Sequence, residues 1–202
     1  MTRFLLIRHA AIDAHGRTLP GRMPGVHLNA QGRLQAQALA QRISGVPVSA
    51  LYSSPLERAI ETAEPIAKLL GLETATSEDF LELDFGDWSG RTIEELATRA
   101  AFQRFNSFRS CTRVPGGESM LQAQARMVAG LDALRARHAD AQVAVVGHGD
   151  MIKAAVAQYA GIPLDLFQRI EISPASISVV ELDEATVRIV VVNDTDGAAL
   201  RA

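Results

Sequence analysis

The stretch Phe4-Leu5-Leu6-Ile7-Arg8-His9 near the N-terminus decides the fold that this sequence predicts. Four consecutive apolar residues are typical of a short strand that is buried on both faces. Arg8 and His9 follow that strand directly, and ligands of open α/β sheets bind just beyond the carboxyl ends of the strands. A fixed cation and a titratable nitrogen therefore stand where chemistry is expected.

Two further predicted strands end in polar side chains. The apolar run 143–146 precedes Gly147-His148-Gly149, and the run 50–52 precedes Ser53-Ser54, with Arg58 four residues later. Arginine offers forked donors with a permanent charge, and histidine can attack an electrophile or donate a proton. Two arginines and two histidines at neighbouring strand ends therefore indicate a site for a phosphoryl group.

Each of these residues also has a purely structural interpretation. Either histidine alone fits a core side chain bonded to a carbonyl group, and the segment 54–57, Ser-Pro-Leu-Glu, fits a helix capping box with proline at the first helical position. That box does not explain Arg58, because a cation in the first turn faces the positive end of the helix dipole, at a cost of about 0.3–1 kcal/mol. A bound anion would reverse the sign, so we favour a ligand role for Arg58 and for both histidines.

Length and composition limit the class of protein. The chain has 202 residues, a net charge of −3 and one cysteine, Cys111. The length fits one domain with a substantial core, and a single cysteine excludes an intramolecular disulfide framework. The charge favours neither nucleic acid nor acidic membranes, and the sequence has no apolar run of about 20 residues and no secretory leader. We expect a cytoplasmic protein without nucleic-acid or membrane partners.

Apolar runs alternate with amphipathic stretches, which is typical of an α/β domain with a mainly parallel sheet. We expect a single domain over residues 1–202, with an irregular excursion around 74–118 that caps the sheet. Two apolar runs, 176–180 and 187–192, predict a hairpin at a sheet edge, and this edge could pair with a second copy of the chain.

Helical periodicity predicts four helices: one with Ala36, Leu39, Ala40 and Ile43 on its apolar face and Asn29 as N-cap; one from Leu56 to Leu70, ended by Gly71; one marked by Leu121, Ala125, Val128 and Leu131; and one from Ile152 to Tyr159. Within the excursion, Phe102, Phe105 and Phe108 alternate with Arg99, Arg104, Arg109 and Arg113. We interpret these phenylalanines as packing and the arginines as their solvated side.

Five motifs in order resemble those of the histidine phosphatase (phosphoglycerate mutase-like) superfamily, over nearly the whole chain. They are Leu6-Ile7-Arg8-His9, followed by Gly21-Arg22, Leu28, Gly32 and Gln35-Ala36; the run Ser53 to Ala59 with Thr62-Ala63; the run Glu82 to Gly90; the run Pro115 to Ser119; and Gly147-His148-Gly149. The resemblance implies a three-layer α/β/α sandwich around a mainly parallel sheet with an antiparallel edge strand.

The resemblance also implies a phosphatase that works in two steps, without a metal or a cofactor, on a small phosphorylated metabolite. His9 would attack phosphorus and carry a phosphohistidine. Arg8, Arg58 and His148 would surround the phosphoryl oxygens, and His148 would also take part in catalysis. Glu82 would protonate the leaving oxygen and then activate water. Asp84 is the second choice for this acid.

Three positions depart from the family pattern. Ala10 replaces the usual glycine after the histidine, although a backbone N–H is still available there. Ile12 replaces a hydroxyl side chain, and His15 stands where many members have an asparagine. Candidates for compensating these changes, or for contacting the substrate, are Asp13, His15, Arg22 and Gly149.

Three other functions stay open at this stage. A phosphoglycerate mutase would keep the same residues but would have to retain its intermediate and exclude water. A non-catalytic, regulatory phosphate-binding protein would bind phosphate without turnover. A metal-dependent hydrolase would use ligands from the set His9, Asp13, His15, His148 and Asp150, whose spacing matches no standard zinc cluster.

Overall fold

The structure of the chain, a computed structural model, describes residues 1–14 and 16–197. Six strands form one sheet: β1 Thr2–Arg8, β2 Val48–Ser53, β3 Thr74–Thr76, β4 Gln142–Gly147, β5 Ile177–Leu182 and β6 Val187–Asp194. The α-helices are α1 Ala30–Ile43, α2 Glu57–Leu70, α3 Ile93–Ala97, α4 Ala100–Ser107, α5 Met120–Arg137 and α6 Gly149–Tyr159. Short 3₁₀ helices span Glu78–Phe80, Gly86–Trp88 and Leu164–Arg169.

The strand order is β3-β2-β4-β1-β5-β6. The first four strands of this order pair in parallel, whereas β5 runs antiparallel to both of its neighbours. The prediction of a mainly parallel sheet with an edge hairpin is confirmed, and the hairpin is β5–β6. Because β1 has neighbours on both sides, its backbone groups are paired along both edges.

Alternate residues of β1 face different hydrophobic clusters, which defines the three layers. Leu5 and Ile7 belong to the cluster that contains the buried faces of α1 and α2. Phe4 and Leu6 belong to the cluster that contains α5 and α6. All four side chains are fully buried. This is the α/β/α sandwich that the resemblance implies, and it explains why the first apolar run has no polar alternation.

The helix boundaries follow local signals in two predicted cases. The Asn29 side chain accepts from the Gly32 N–H at 2.8 Å and caps α1. Gly71 ends α2 in the left-handed conformation, with φ +66°. A left-handed residue after the last helical turn is favourable for glycine because it has no Cβ.

The apolar face predicted for α5 is partly wrong, although the helix itself is confirmed. Leu131 is fully buried as predicted, whereas Leu121 and Ala125 are exposed, with Leu121 at 54%. The other buried side chains include Ala123, Met127 and Leu134. The predicted face therefore holds at Leu131 and fails in the first two turns of the helix.

Residues 74–118 contain β3, which belongs to the sheet, followed by two 3₁₀ helices, α3 and α4. The part after β3 lies on the α5–α6 side, since Phe80, Trp88 and Phe105 belong to that cluster. No helix in the described part of the chain is long and apolar enough to cross a membrane.

Replacing Gly32 by alanine is expected to destabilise the fold. A Cβ on Gly32 would lie 2.1 Å from the Ala11 carbonyl oxygen, so α1 or the segment that follows His9 would have to move. Overpacking of this kind costs about 1–3 kcal/mol. The free energy of unfolding, measured by urea denaturation, should fall by that amount for Gly32→Ala.

Gly45→Ala is the matched control, because nothing lies within 4 Å of a Cβ at this position. We expect Gly45→Ala to change the free energy of unfolding by less than about 1 kcal/mol. Equal losses for the two variants would contradict the close approach of α1 to the segment after β1.

Candidate active site

The carboxyl ends of β1, β2 and β4 meet at one edge of the sheet, as the sequence predicts. Arg8 is aligned with Gly147 in the register of β1 and β4, and Ser53 with Val146 in that of β2 and β4. Beyond the last strand residues, the His9 N–H donates to the Gly147 carbonyl at 2.9 Å. Polar side chains that are far apart in sequence are thereby brought to one place.

A cavity of about 290 Å³ opens at this edge. The residues that line this cavity include Arg8, His9, Arg58, Glu82, Gly149 and Asp150. His148 is fully buried and lies behind this lining.

Arg8 reaches the cavity because the residue beside it has no side chain. A Cβ on Gly149 would lie 3.1 Å from Arg8 Nε and 3.2 Å from Cζ. One guanidinium N–H of Arg8 donates to the Ile172 carbonyl. The Nε–H is buried and has no acceptor among residues 1–14 and 16–197. Gly149 therefore makes room for the Arg8 guanidinium at the cavity wall.

Arg58 is a buried cation with incomplete hydrogen bonding. It is 1% exposed, and its Nη2 donates to the Gly21 carbonyl at 2.7 Å and to His148 Nδ1 at 3.3 Å. Its Nε and Nη1 have no acceptor within the described residues. Burial lowers the pKa of Arg58 from its ordinary value, but a guanidinium in a protein stays charged. Each unpaired buried donor costs about 1–3 kcal/mol, so the site favours a ligand with several acceptor oxygens.

His9 is oriented by a main-chain contact. Its Nδ1 lies 2.8 Å from the Ala10 carbonyl oxygen. Because a carbonyl can only accept, Nδ1 carries the proton in this contact, and Nε2 of the neutral ring keeps its lone pair. The His9 and His148 rings meet edge to face, with centroids 5.3 Å apart.

His148 has both ring nitrogens engaged. Nδ1 accepts from Arg58, so the proton of the neutral ring is on Nε2, which donates to Ser54 Oγ at 2.8 Å. Burial and then the charge of Arg58 hold the pKa of His148 well below its ordinary value. His148 is therefore neutral.

The capping-box interpretation of Ser54 and Glu57 is wrong. Helix α2 begins at Glu57, and the preceding Leu56 forms no side-chain cap. Ser54 is fully buried and contacts His148, while Glu57 Oε1 accepts from the Gly25 N–H at 2.9 Å. Ser54 is thus a site residue that the sequence analysis missed, although its place directly after a predicted strand was a usable signal.

Glu82 lies close to His148, with Oε2 3.9 Å from Nδ1. Its Oε1 accepts from the Leu83 N–H at 2.8 Å. Burial, and next the charge of Asp150, raise the pKa of Glu82 to about 7, against the opposing effects of Arg58 and Arg8. A carboxyl group with this pKa can both donate and accept a proton near neutral pH.

The backbone of Glu82 is held by an ion-pair network outside the cavity lining. Arg22 Nε donates to the Glu82 carbonyl at 2.8 Å, and Arg22 Nη2 donates to Glu118 Oε2 at 2.8 Å. Glu118 also accepts from Arg126, whose Nη1 reaches the carbonyls of the segment before Glu82. Arg22 therefore contacts the Glu82 segment rather than the cavity.

The remaining candidates and the departures from the family pattern have definite places. Asp13 is exposed, accepts from Asn29 Nδ2 at 3.1 Å and is not part of the cavity lining. His15 lies outside the described residues. Ile12 lines the cavity with an apolar side chain. The Ala10 N–H was expected to be available to a ligand, but it donates to Thr62 Oγ1 at 3.0 Å, so that expectation is wrong.

The charged groups form no metal site in the part of the chain that the structure describes. No group of three or more His, Cys, Asp or Glu side chains there could hold a metal ion. The metal-ligand alternative therefore has no supporting cluster among residues 1–14 and 16–197.

Comparison with known proteins agrees with this geometry. The sequence model of the histidine phosphatase superfamily (branch 1) matches residues 4–195. The chain is 32% identical over 189 residues to phosphoserine phosphatase 1 of Hydrogenobacter thermophilus, covering 91% of this chain and 88% of that protein.

Two solved structures are similar over nearly their full length. The YhfR protein of Bacillus stearothermophilus superposes with a TM-score of 0.90 at 26% identity, covering 99% of this chain and all of the other. A mutant phosphoserine phosphatase from Entamoeba histolytica in complex with phosphoserine gives a TM-score of 0.88 at 25% identity, covering 98% of this chain and 100% of the other.

Replacing Ser54 by alanine is expected to weaken oxyanion binding at this site. The substitution leaves the buried His148 Nε2–H without its acceptor, and the proton can move to Nδ1, where it would oppose the Arg58 N–H. Loss of one buried hydrogen bond costs about 1–2 kcal/mol, so the dissociation constant of inorganic phosphate, measured by calorimetry, should rise about five- to thirtyfold.

Ser53→Ala is the matched control, since Ser53 is equally buried but donates to the Ser54 carbonyl and has no contact with His148. Its phosphate affinity should stay within about twofold of that of the wild type. A larger loss for Ser53→Ala than for Ser54→Ala would contradict the role of Ser54 in holding His148.

Proposed function

The chain belongs to the histidine phosphatase superfamily, and from this premise we propose that it hydrolyses a small phosphomonoester through a phosphohistidine at His9, without a metal ion. It is an enzyme of the phosphatase type. The observation that carries the specific proposal is that the half-buried Arg8 and the fully buried Arg58 line the same cavity as His9, and that each has a buried N–H group without an acceptor among the described residues.

His9 is the nucleophile in this proposal. In the tautomer whose Nδ1–H donates to the Ala10 carbonyl, Nε2 carries the lone pair, so Nε2 is the atom that attacks phosphorus. The bond from Nε2 to phosphorus forms as the bond from phosphorus to the ester oxygen breaks. The same Ala10 contact then stabilises the phosphorylated ring, because Nδ1 keeps its proton and its acceptor.

Arg8, Arg58 and His148 bind the phosphoryl oxygens. Two permanent cations balance the charge of a phosphate dianion, so the chemistry is complete without a metal ion. An arriving phosphoryl oxygen gives the unpaired donors of Arg58 and Arg8 the acceptors that they lack. When the substrate arrives as the monoanion, Nδ1 of His148 can take the phosphoryl proton and donate a hydrogen bond to the same oxygen, while Ser54 continues to accept from Nε2.

Glu82 is the proton donor to the leaving oxygen. At neutral pH about half of the carboxyl groups are protonated, because their pKa is about 7. After the alcohol leaves, the carboxylate can take a proton from the water that attacks the phosphohistidine, which releases phosphate and restores both groups.

The cavity favours a small phosphorylated metabolite. Its volume of about 290 Å³ holds a phosphoryl group and a leaving group of a few carbon atoms, and its rim carries Lys153 and Glu171 in addition to the phosphate-binding cations. Phosphoserine is the first substrate to test, because the relative from Hydrogenobacter thermophilus is named for it.

Compartment and assembly are further parts of the proposal. We propose that the enzyme works in the cytoplasm, where its one free and exposed cysteine, Cys111, suits reducing conditions. We also propose a homodimer through the edge strand β6, where Val187 and Val190 are 48% and 39% exposed. An edge strand with exposed valines favours pairing with a second copy.

The dimer is checked by sedimentation. Val190→Lys places a charge on the exposed strand and should convert a dimer into a monomer without loss of the fold. A wild-type protein that sediments as a monomer at all accessible concentrations would contradict the dimer.

The enzymatic mechanism is tested by His9→Ala. We expect wild-type turnover of p-nitrophenyl phosphate and phosphoserine to resist a chelator and to fall by at least about 10³-fold in His9→Ala, because the covalent route is lost. Rapid acid-free quenching with radiolabelled substrate should trap a phosphoenzyme that is labile in acid and stable in base, as a phosphohistidine is.

His27→Ala is the control, because His27 is an exposed histidine paired with Glu61 and does not line the cavity. It should keep wild-type activity. Turnover that survives His9→Ala in a pure preparation would overturn the mechanism. Transfer of the phosphoryl group between the hydroxyls of phosphoglycerate would favour a mutase, and phosphate binding without any turnover would favour a regulatory binding protein.

A further inference from the structure

A carboxylate lines a cavity that is otherwise built to hold an anion. Asp150 lies in the first turn of α6, next to Gly149, and its side chain is 23% exposed. A negative charge beside a phosphate dianion weakens its binding, so Asp150 needs a different explanation. We infer that Asp150, paired with Arg109, is a positioning residue that keeps a large fraction of Glu82 protonated at neutral pH. This inference rests on the proposed function, since it concerns the acid of the same reaction.

Arg109 holds Asp150 from the segment that covers the sheet. Its Nη1 donates to Asp150 Oδ2 at 3.2 Å, and its Nη2 donates to Asn106 Oδ1 at 2.7 Å. The guanidinium carbon lies 4.5 Å from the ring centre of Phe105 and 4.7 Å from that of Phe167. Arg109 is 4% exposed, so the expectation that it is a solvated residue is wrong.

The carboxylate of Asp150 lies at the cavity, and its counter-ion, Arg109, lies outside the cavity lining. Asp150 lines the cavity, whereas Arg109 does not. A buried arginine between two aromatic rings has few alternative positions, so the carboxylate that it binds is held in place. Asp150 therefore acts on its neighbours in the cavity from a fixed position.

Glu82 needs such a neighbour because cations face it from several elements. The charged or titratable groups around it are Arg8 and His9 at the end of β1, Arg58 on α2, His148 before α6, Asp150 and Lys153 on α6, and Glu171 at the rim. The guanidinium groups favour the ionised form of Glu82, which could not protonate a leaving group. Burial and Asp150 act in the opposite direction and prevail.

Asp150 and Arg109, which lie outside the strand ends that bind phosphate, therefore determine the pKa of Glu82, the acid of the reaction. Removing the charge of Asp150 would leave Arg109 as an additional unpaired cation, and Glu82 would ionise at lower pH. Removing Arg109 would leave Asp150 uncompensated, and Glu82 would ionise at higher pH. The two members of one ion pair should thus have opposite effects, which a merely structural clamp would not produce.

The test compares the pH profiles of kcat/KM for phosphoserine in the wild type, Asp150→Asn and Arg109→Met. Activity that depends on a protonated acid falls as the pH rises through the pKa of that acid. We expect this fall to begin about one pH unit lower in Asp150→Asn, which is about a fivefold loss at pH 7 and little change at pH 5. In Arg109→Met the fall should move to higher pH.

The leaving group supplies a second readout. p-Nitrophenolate departs without protonation, so the loss in Asp150→Asn at pH 7 should be smaller for p-nitrophenyl phosphate than for phosphoserine. A ¹³C NMR titration of the Glu82 carboxyl in the unliganded protein measures the same shift without turnover. If Arg109→Met fails to fold, the Glu82 titration in the wild type and in Asp150→Asn still tests the inference.

Asp165→Asn is the matched control. Asp165 accepts from the N–H and the hydroxyl of Ser110, directly beside Arg109, but does not line the cavity. It removes the same charge and loosens the same segment, and it should leave the pH profile in place. An unshifted profile and an unshifted Glu82 titration in Asp150→Asn would overturn the inference while wild-type turnover through His9 still stood. Absence of wild-type turnover would instead count against the proposed function.

Discussion

Two guanidinium groups at the end of a parallel sheet, each with a buried N–H that has no acceptor among the described residues, are the constraint on which the rest of the site depends. Arg58 is 1% exposed, and two of its nitrogens have no acceptor within the described residues. Unpaired donors of this kind lower the stability of the fold, since each one keeps its desolvation cost. A bound oxyanion removes that cost, so the site is organised before the ligand arrives. Gly149, which has no side chain, leaves room for the Arg8 guanidinium, and burial together with the charges of Arg58 and Arg8 favours the neutral state of His148.

The same cations favour the ionised form of a nearby carboxyl group. A carboxyl group that is to donate a proton in this site therefore needs an influence that raises its pKa. The carboxyl groups of Glu118 and Glu82 lie on neighbouring segments, and their pKa values are shifted in opposite directions. Burial would raise the pKa of Glu118, but its bonds to Arg126 and Arg22 hold that pKa below its ordinary value, and it serves as a structural anion. Burial raises the pKa of Glu82 to about 7, and here the guanidinium groups of Arg58 and Arg8 only partly oppose the effect. The difference is that arginine side chains donate hydrogen bonds directly to the carboxylate of Glu118, whereas the Glu82 carboxyl group accepts from the Leu83 N–H.

The sequence predicts what depends on strand ends and misses what depends on distant partners. The placement of Arg8, His9, Arg58 and His148 near one another could be predicted because parallel strands have their carboxyl ends at one edge of the sheet. Ser54 was assigned to a helix cap, since a local pattern of serine and glutamate cannot reveal a histidine 94 positions away. Arg109 was assigned to the surface for the same reason, because its partner Asp150 is 41 positions away.

The residues near the strand ends and those of the segment between β3 and α5 also have different tasks in the proposed site. Arg8 is the last residue of β1 and is held by sheet pairing, whereas Arg58 lies in the first turn of α2, the helix that follows β2. Glu82, Phe85 and Arg109 come from the segment between β3 and α5, which is held by side-chain contacts such as those of Arg22, Arg126 and Asp150. Changes in that segment can alter the shape of the cavity and the pKa of Glu82 without moving Arg8 and Arg58, the groups that we propose to bind phosphate. Recognition of the phosphoryl group can therefore stay constant on this fold while the leaving group that it accepts varies.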